Sequence, residues 1–228
     1  MDKLQLLENV NRIEQSLKPF SATITENVVA ISKKKNAAAI EICYGLSLRK
    51  FGENYVQELL QKYEQLKDTC PEIEWHFTGH LQTNKVKYIA PFIHTIQTVD
   101  SIKLAKEISK EATKYHRSIS IFVQVNTSLE ESKSGITPSE AFDLVKEILL
   151  LPSINVVGLM TIPSVLDDNE DDIRKEFRTL VSLQQQIQKE LSISLPHLSM
   201  GMTHDYLIAL QESATLVRIG TGIFGDRI

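Results

Sequence analysis

An α/β fold, a single (β/α)8 TIM barrel with an extra N-terminal helix, is the architecture that these 228 residues predict. Three observations carry it. About eight short, β-branched apolar runs alternate with stretches of helical periodicity, which favours a parallel barrel over a doubly wound sheet. Hydrophobic residues make up 42% and no linker-like stretch interrupts them, so residues 1–228 read as one domain with one sizeable core. Finally, Lys33, Asn54, His80, Asn126, Thr161, Ser199 and Arg218 all fall at or just past strand ends, where barrels of this kind carry their chemistry.

The elements follow in order. Leu6, Val10, Ile13 and Leu17 recur at helical spacing until Pro19 stops them, and this extra helix is expected to pack across a barrel end. The apolar run from Asn27 to Ile31 reads as the first strand, halted by Ser32 and the cations Lys33, Lys34 and Lys35. Residues 37–46 suit a helix and 49–52 a short strand. Val56, Leu59, Leu60, Tyr63 and Leu66 then form a single apolar stripe on the next helix. Residues 73–78 follow Pro71 as a strand, 86–89 make a short helix and 93–99 a strand. A helix over 102–115 is capped by Asp100 or Ser101.

The run 119–126 is the clearest strand. Ser139 is the expected cap of a helix carrying Phe142, Val145 and Ile148, which Pro152 ends ahead of a strand at 154–160. The acidic run 167–172 suits a helix N-terminus, and Ile173, Phe177, Leu180 and Ile187 give that helix its buried face. A strand at 197–199, a helix at 206–211 and an eighth strand at 215–219 complete the series.

The net charge of −4 argues against a nucleic-acid binder of the usual basic kind. Two cysteines, Cys43 and Cys70, are too few for a disulfide scaffold and suit a reducing compartment. The start, Met1-Asp2-Lys3-Leu4, has no signal-peptide apolar region, and no apolar stretch is long enough to cross a membrane. A cytoplasmic protein with small-molecule partners is expected.

Among the candidate site residues, Lys33 stands first. A lysine at a strand end is solvated more often than functional. Desolvation beside Lys34 and Lys35 would nevertheless lower its pKa and make it a carbonyl nucleophile. His76 and His80 have the spacing of two zinc ligands on a helix, but Trp75, His76 and Phe77 read as strand, which sets the two too far apart to share an ion; no metal site is expected, and His80 is read as a hydrogen-bonding pocket residue. Gly220-Thr221-Gly222-Ile223-Phe224-Gly225 fits the dinucleotide fingerprint, but the long helix and further strand which that motif needs do not follow. The residues alone leave two readings, a phosphate-holding turn or a tight turn that closes the barrel. Ser199-Met200-Gly201-Met202-Thr203 is open in the same way, as a binding loop or a buried turn. Arg218 lies inside an apolar strand, and a buried guanidinium requires a partner.

Phe51-Gly52-Glu53-Asn54-Tyr55-Val56-Gln57-Glu58, Trp75-His76-Phe77-Thr78-Gly79-His80-Leu81-Gln82, Ser199-Met200-Gly201-Met202 and Val217-Arg218-Ile219-Gly220-Thr221 follow the lysine strand in that order. From about Asn27 to Arg227 the chain resembles the pyridoxal phosphate homeostasis protein family, which is similar to the barrel domain of bacterial alanine racemase. The resemblance implies pyridoxal 5′-phosphate (PLP) held as a Schiff base on Lys33. It implies cofactor contacts from Asn54, His80, Ser199, Met202, Arg218, Gly220 and Thr221, the phosphate falling to Ser199, Gly220 and Thr221. It also sets Arg218 against the pyridine nitrogen, which would leave the ring a poor electron sink.

No catalytic residue is implied. The function implied is intracellular PLP homeostasis, buffering and supplying the cofactor without significant turnover, with PLP and PLP-dependent apo-enzymes as partners and a monomeric state. A PLP-dependent racemase is the alternative. It needs an acid/base on the opposite cofactor face, which alanine racemase takes from an additional β-domain, whereas this sequence stops straight after the eighth strand. A third reading is a cofactor-free barrel enzyme acting on a phosphorylated substrate, with Lys33 as electrophile. The sequence departs from the family pattern at Lys34 and Asn36, where a threonine and a proline are usual, and at Ser47 and Ser213, where smaller residues are. Glu131-Ser132-Lys133-Ser134-Gly135 also matches a family motif and reads as a solvated loop.

Overall fold

Parallel strands need a crossover between each pair, and the alternation of the chain supplies one every time. The computed structural model describes residues 3–130, 133–164 and 169–225. Among these, β1 (Val28–Ile31), β2 (Lys50–Glu53), β3 (Glu74–Phe77), β4 (Thr95–Val99), β5 (Ile119–Gln124), β6 (Ile154–Met160), β7 (His197–Ser199) and β8 (Val217–Ile219) form one sheet in the order β7-β6-β5-β4-β3-β2-β1-β8. All seven pairings are parallel. A parallel bridge between Ser199 and Leu216 draws the sheet into a nearly closed barrel, and the N–H of Met200 donates to Leu216 O at 3.1 Å across the seam. The predicted barrel is therefore the observed one.

The helices are α1 (Lys3–Leu17), α2 (Ile24–Asn27), α3 (Ala37–Gly45), α4 (Val56–Leu66), α5 (Val86–Ile89), α6 (Ile102–Lys114), α7 (Pro138–Ile148), α8 (Glu170–Leu191), α9 (Tyr206–Gln211) and α10 (Thr221–Phe224). Ser101 caps α6 through the N–H of Leu104. Asn169 caps α8, with Glu170, Asp171 and Asp172 in its first turn; Asp167 and Asp168 lie outside the described residues. The cap of α7 is Thr137, not Ser139. Pro138, which has no N–H to satisfy and a φ already helical, takes the first helical position, and the Glu140 carboxylate accepts from the N–H of Thr137 at 2.8 Å.

The N-terminal helix corrects another expectation. It does not lie across a barrel end but packs against α3 and α10 in the outer ring. The helix after β8 is only four residues long, which leaves the ring short of a neighbour between α9 and α3. Leu6, Val10, Ile13 and Leu17, all buried, fill that place. Asn9 Nδ2 donates to Ile223 O at 2.9 Å, and Ser16 Oγ meets the Tyr206 hydroxyl at 2.8 Å.

Strand alternation divides the core. Most buried apolar side chains pack between sheet and helices, whereas Val29, Phe122, Met160 and Leu216 form a separate cluster. No helix among the described residues is long and apolar enough to cross a membrane.

Candidate functional site

The turn after β1 carries the lysines. The N–H of Ser32 continues the ladder to Gly52 O, the N–H of Lys35 closes the turn on Ser32 O at 3.0 Å, and Lys34 adopts a left-handed φ of 62°. Lys33 is half-buried and faces a cavity of about 220 Å³ at the C-terminal ends of the strands, while Lys34 points to solvent.

The ends of other strands complete that cavity. Asn54 and Thr78 come from the ends of β2 and β3, joined by Thr78 Oγ1 donating to Asn54 Oδ1 at 3.0 Å. Gly79 makes this approach possible, since a Cβ there would lie 2.2 Å from Asn54 O. The loop after β7 contributes Met202, Thr203 and His204, and β8 with its turn contributes Arg218, Gly220 and Thr221. Thr203 Oγ1 accepts from both the Thr221 hydroxyl and the N–H of Gly222, each at 3.2 Å, so the two loops present their hydroxyls together.

Arg218 is buried, and its hydrogen-bond partners are neutral. Nη2 donates to Thr161 O at 2.7 Å and Nη1 to Ser199 Oγ at 2.8 Å. The Ser199 hydroxyl donates in turn to Gln97 Oε1 at 2.7 Å, so the Gln97 amide nitrogen, 2.9 Å from His76 Nδ1, is the donor there and the imidazole carries its proton on Nε2. Burial pushes the His76 pKa down to about 3, helped by Lys50, His94 and His197. Burial also lowers the Arg218 pKa to about 10, against the pull of the Asp205 carboxylate, so the guanidinium stays charged at neutral pH. Burial raises the Asp205 carboxyl, which accepts from the N–H of Met202 and ties down the loop.

Of the residues singled out from the sequence, the structure brings Lys33, Asn54, Met202, Arg218, Gly220 and Thr221 to the lining of one cavity. Ser199 and His80 are not in it. The Ser199 hydroxyl is fully engaged inside the barrel by Arg218 and Gln97. His80 is exposed beyond the turn at Gly79, while His76, within β3, is buried. Thr78, Ile162, Thr203 and His204 line the cavity without having been anticipated. Of these, Thr78 and Thr203 lie inside the quoted motifs, so the motif spacing could have pointed to them. Glu131 and Ser132 of the Glu131–Gly135 motif lie outside the described residues; Ser134 O accepts from Gln124 Nε2 at 3.0 Å.

The family model for the alanine racemase N-terminal domain matches residues 1–228. The pyridoxal phosphate homeostasis protein of Aquifex aeolicus is 45% identical over 200 residues, covering 88% of this chain and 86% of that one. The chain belongs to the pyridoxal phosphate homeostasis protein family. Within solved structures, PipY of Synechococcus elongatus with PLP bound superposes with a TM-score of 0.82 at 30% identity, over 93% of this chain and 100% of PipY. Alanine racemase of Clostridium difficile gives a TM-score of 0.77 over 97% of this chain and 56% of the enzyme, at 13% identity, a likeness of fold alone.

The donor set of this family member fits PLP. A primary amine stands on one wall for an aldehyde, a guanidinium on another for a ring nitrogen, and a glycine turn with two threonine hydroxyls for a phosphate.

Proposed function

We propose that this protein holds PLP at the top of its barrel and supplies it to PLP-dependent apo-enzymes in the cytoplasm, as a monomer and without significant turnover. The observation that carries the reading is the convergence of Lys33 and Arg218 on one cavity, with the Gly220–Thr221 turn beside them. The pyridoxal phosphate homeostasis name of its relatives and the PLP in PipY support it.

When bound, the cofactor supplies an aldehyde, whose condensation with an amine forms a carbon–nitrogen double bond and releases one water. Lys33 provides that amine. Thr203, Thr221 and the Gly220 backbone would hold the phosphate. Arg218 donates and keeps its proton, so a ring nitrogen facing it receives a hydrogen bond without being protonated and carbanion chemistry is discouraged. Among the described residues that line the cavity, His204 is the titratable group besides Lys33 and Arg218, and it is exposed. A racemase needs a positioned acid/base on each face of the ring, and one solvated imidazole is a poor substitute.

The test pairs two measurements. Borohydride should fix PLP onto the Lys33 peptide and not onto a Lys33→Ala variant. The loaded protein should restore activity to an apo-transaminase while catalysing negligible α-hydrogen exchange on alanine. A reducible adduct retained by Lys33→Ala would overturn the assignment of the amine. Robust, Lys33-dependent exchange would restore the racemase.

A further inference from the structure

Below the Lys33 turn lies a buried ionic cluster, formed by Glu53 and Glu58 from the motif at 51–58 and by Lys62, which lies outside it. Lys62 of α4, its side chain only 5% exposed, places Nζ 2.6 Å from Glu53 Oε1 and 2.7 Å from Glu58 Oε1, and donates to Ser32 O at 2.7 Å. The Ser32 hydroxyl donates to Glu53 Oε1 at 2.6 Å. On the other side of Lys33, the N–H of Lys34 donates to Glu58 Oε1 at 2.5 Å. Both chain neighbours of Lys33 are therefore tied to one set of side chains. The left-handed φ of 62° at Lys34, unfavourable for a lysine, is held by the Glu58 carboxylate.

We propose that Lys62, Glu53 and Glu58 are positioning residues that hold the Lys33 amine where it can bond the cofactor, an inference that rests on the PLP-holding reading above.

Stability alone is a weak reason for such a cluster. Buried ion pairs replaced by apolar side chains of similar volume are often no less stable. Here Glu53 is wholly buried, and its Oε2 has no hydrogen-bond partner among the described residues. Geometry is a stronger reason, because a reacting group misplaced by about 1 Å loses on the order of 10²-fold in rate. A lysine side chain on a four-carbon stem is the case where fixing the backbone on both sides narrows the search most.

The test separates bonding from binding. In Glu58→Ala, Lys34 loses its acceptor while Lys62 keeps Glu53. Formation of the borohydride-trappable adduct should slow by at least about tenfold, while the affinity for pyridoxamine 5′-phosphate, which has no aldehyde, changes by less than about twofold. Glu58→Gln keeps an acceptor oxygen and should restore the rate. The double variant Glu53→Leu, Lys62→Met removes the buried charges together and should fold, with the same split between rate and affinity. If it does not fold, the Glu58 pair decides.

Unchanged adduct formation in Glu58→Ala would overturn the proposal. So would equal losses of adduct formation and pyridoxamine phosphate affinity, which would make the cluster a support of the pocket as a whole. If the unaltered protein itself forms no adduct on Lys33, it is the PLP-holding reading that fails, and that is seen before any variant is made.

Discussion

Arg218 has no carboxylate within ion-pair distance among the described residues, and its guanidinium is oriented by a serine, a carbonyl and, through Gln97, a neutral histidine. Ser199→Ala removes the acceptor of Nη1 and strands Gln97 Oε1, so a loss of about 1–3 kcal/mol in urea-unfolding stability is expected. PLP retention should weaken with it, because a guanidinium released on one side no longer holds one direction. Full retention with full stability would refute that role. His76 predicts a pH dependence. Its folded pKa of about 3 lies below the ordinary 6.5, so below pH 6.5 the unfolded chain binds the proton and the folded chain does not. The stabilisation is fully present above pH 6.5 and is lost as pH falls toward 3, at up to about 1.4 kcal/mol per pH unit. Denaturant curves between these limits should flatten in a His76→Asn variant; an unaltered slope would show that the imidazole takes up its proton in the fold.

The loops between elements differ in how much freedom they leave. Gly201, after β7, has a φ of +90°, and an added Cβ would lie 2.5 Å from Ala209 Cβ and 3.0 Å from Tyr206 Cα. Its carbonyl also receives the N–H of Arg218 at 2.9 Å, so a shift there moves β8. Gly220 has a φ of −106°, and its added Cβ would meet Ile31 at 3.6 Å, an ordinary contact. Gly201→Ala should therefore lower stability by more than about 1 kcal/mol, while Gly220→Ala stays within about 0.5 kcal/mol. A bulky residue at Gly220 should weaken PLP retention without unfolding the barrel. Equal thermal shifts for the two alanine variants would contradict this ranking. On α7, Thr137→Ala removes a cap and should cost about 1 kcal/mol, and Ser139→Ala should cost less.

At the scale of the molecule, the barrel is a ring, and a ring fails where a segment is missing. The helix α1 supplies Leu6, Val10, Ile13 and Leu17, each no more than 2% exposed. Burying four such side chains is worth roughly 1.5–3 kcal/mol apiece, which together rivals the 5–15 kcal/mol that holds a typical domain. Deleting residues 1–17 should abolish cooperative unfolding or bring the midpoint close to the working temperature, as circular dichroism would report. A truncated chain that melts like the intact one would show that the ring closes without α1.

What the sequence determined by itself is local. The eight strands, the helices between them and the placement of Lys33 just past the first strand and of Arg218 within the last follow from period, branching and punctuation within a dozen residues, and contiguous motifs pointed to the cofactor family. Tertiary structure decided what depends on distant partners. Ser199 reaches Gln97, 102 positions away, and so turns into the barrel and away from the cavity lined by Gly220 and Thr221. Asn9 reaches Ile223 across 214 positions, which sets α1 in the ring and not across an end. The loop after β7 swings Thr203 and His204 into the pocket, while the turn at Gly79 leaves His80 outside. Lys62 was not part of the apolar stripe read on α4, yet it shares the helix's buried face with Val56, Leu59 and Leu66. Its partner Ser32, thirty residues earlier, became visible only once the turn after β1 folded over α4. Burial and hydrogen bonding belong to the contact, and a contact between distant segments exists only when the chain has closed on itself.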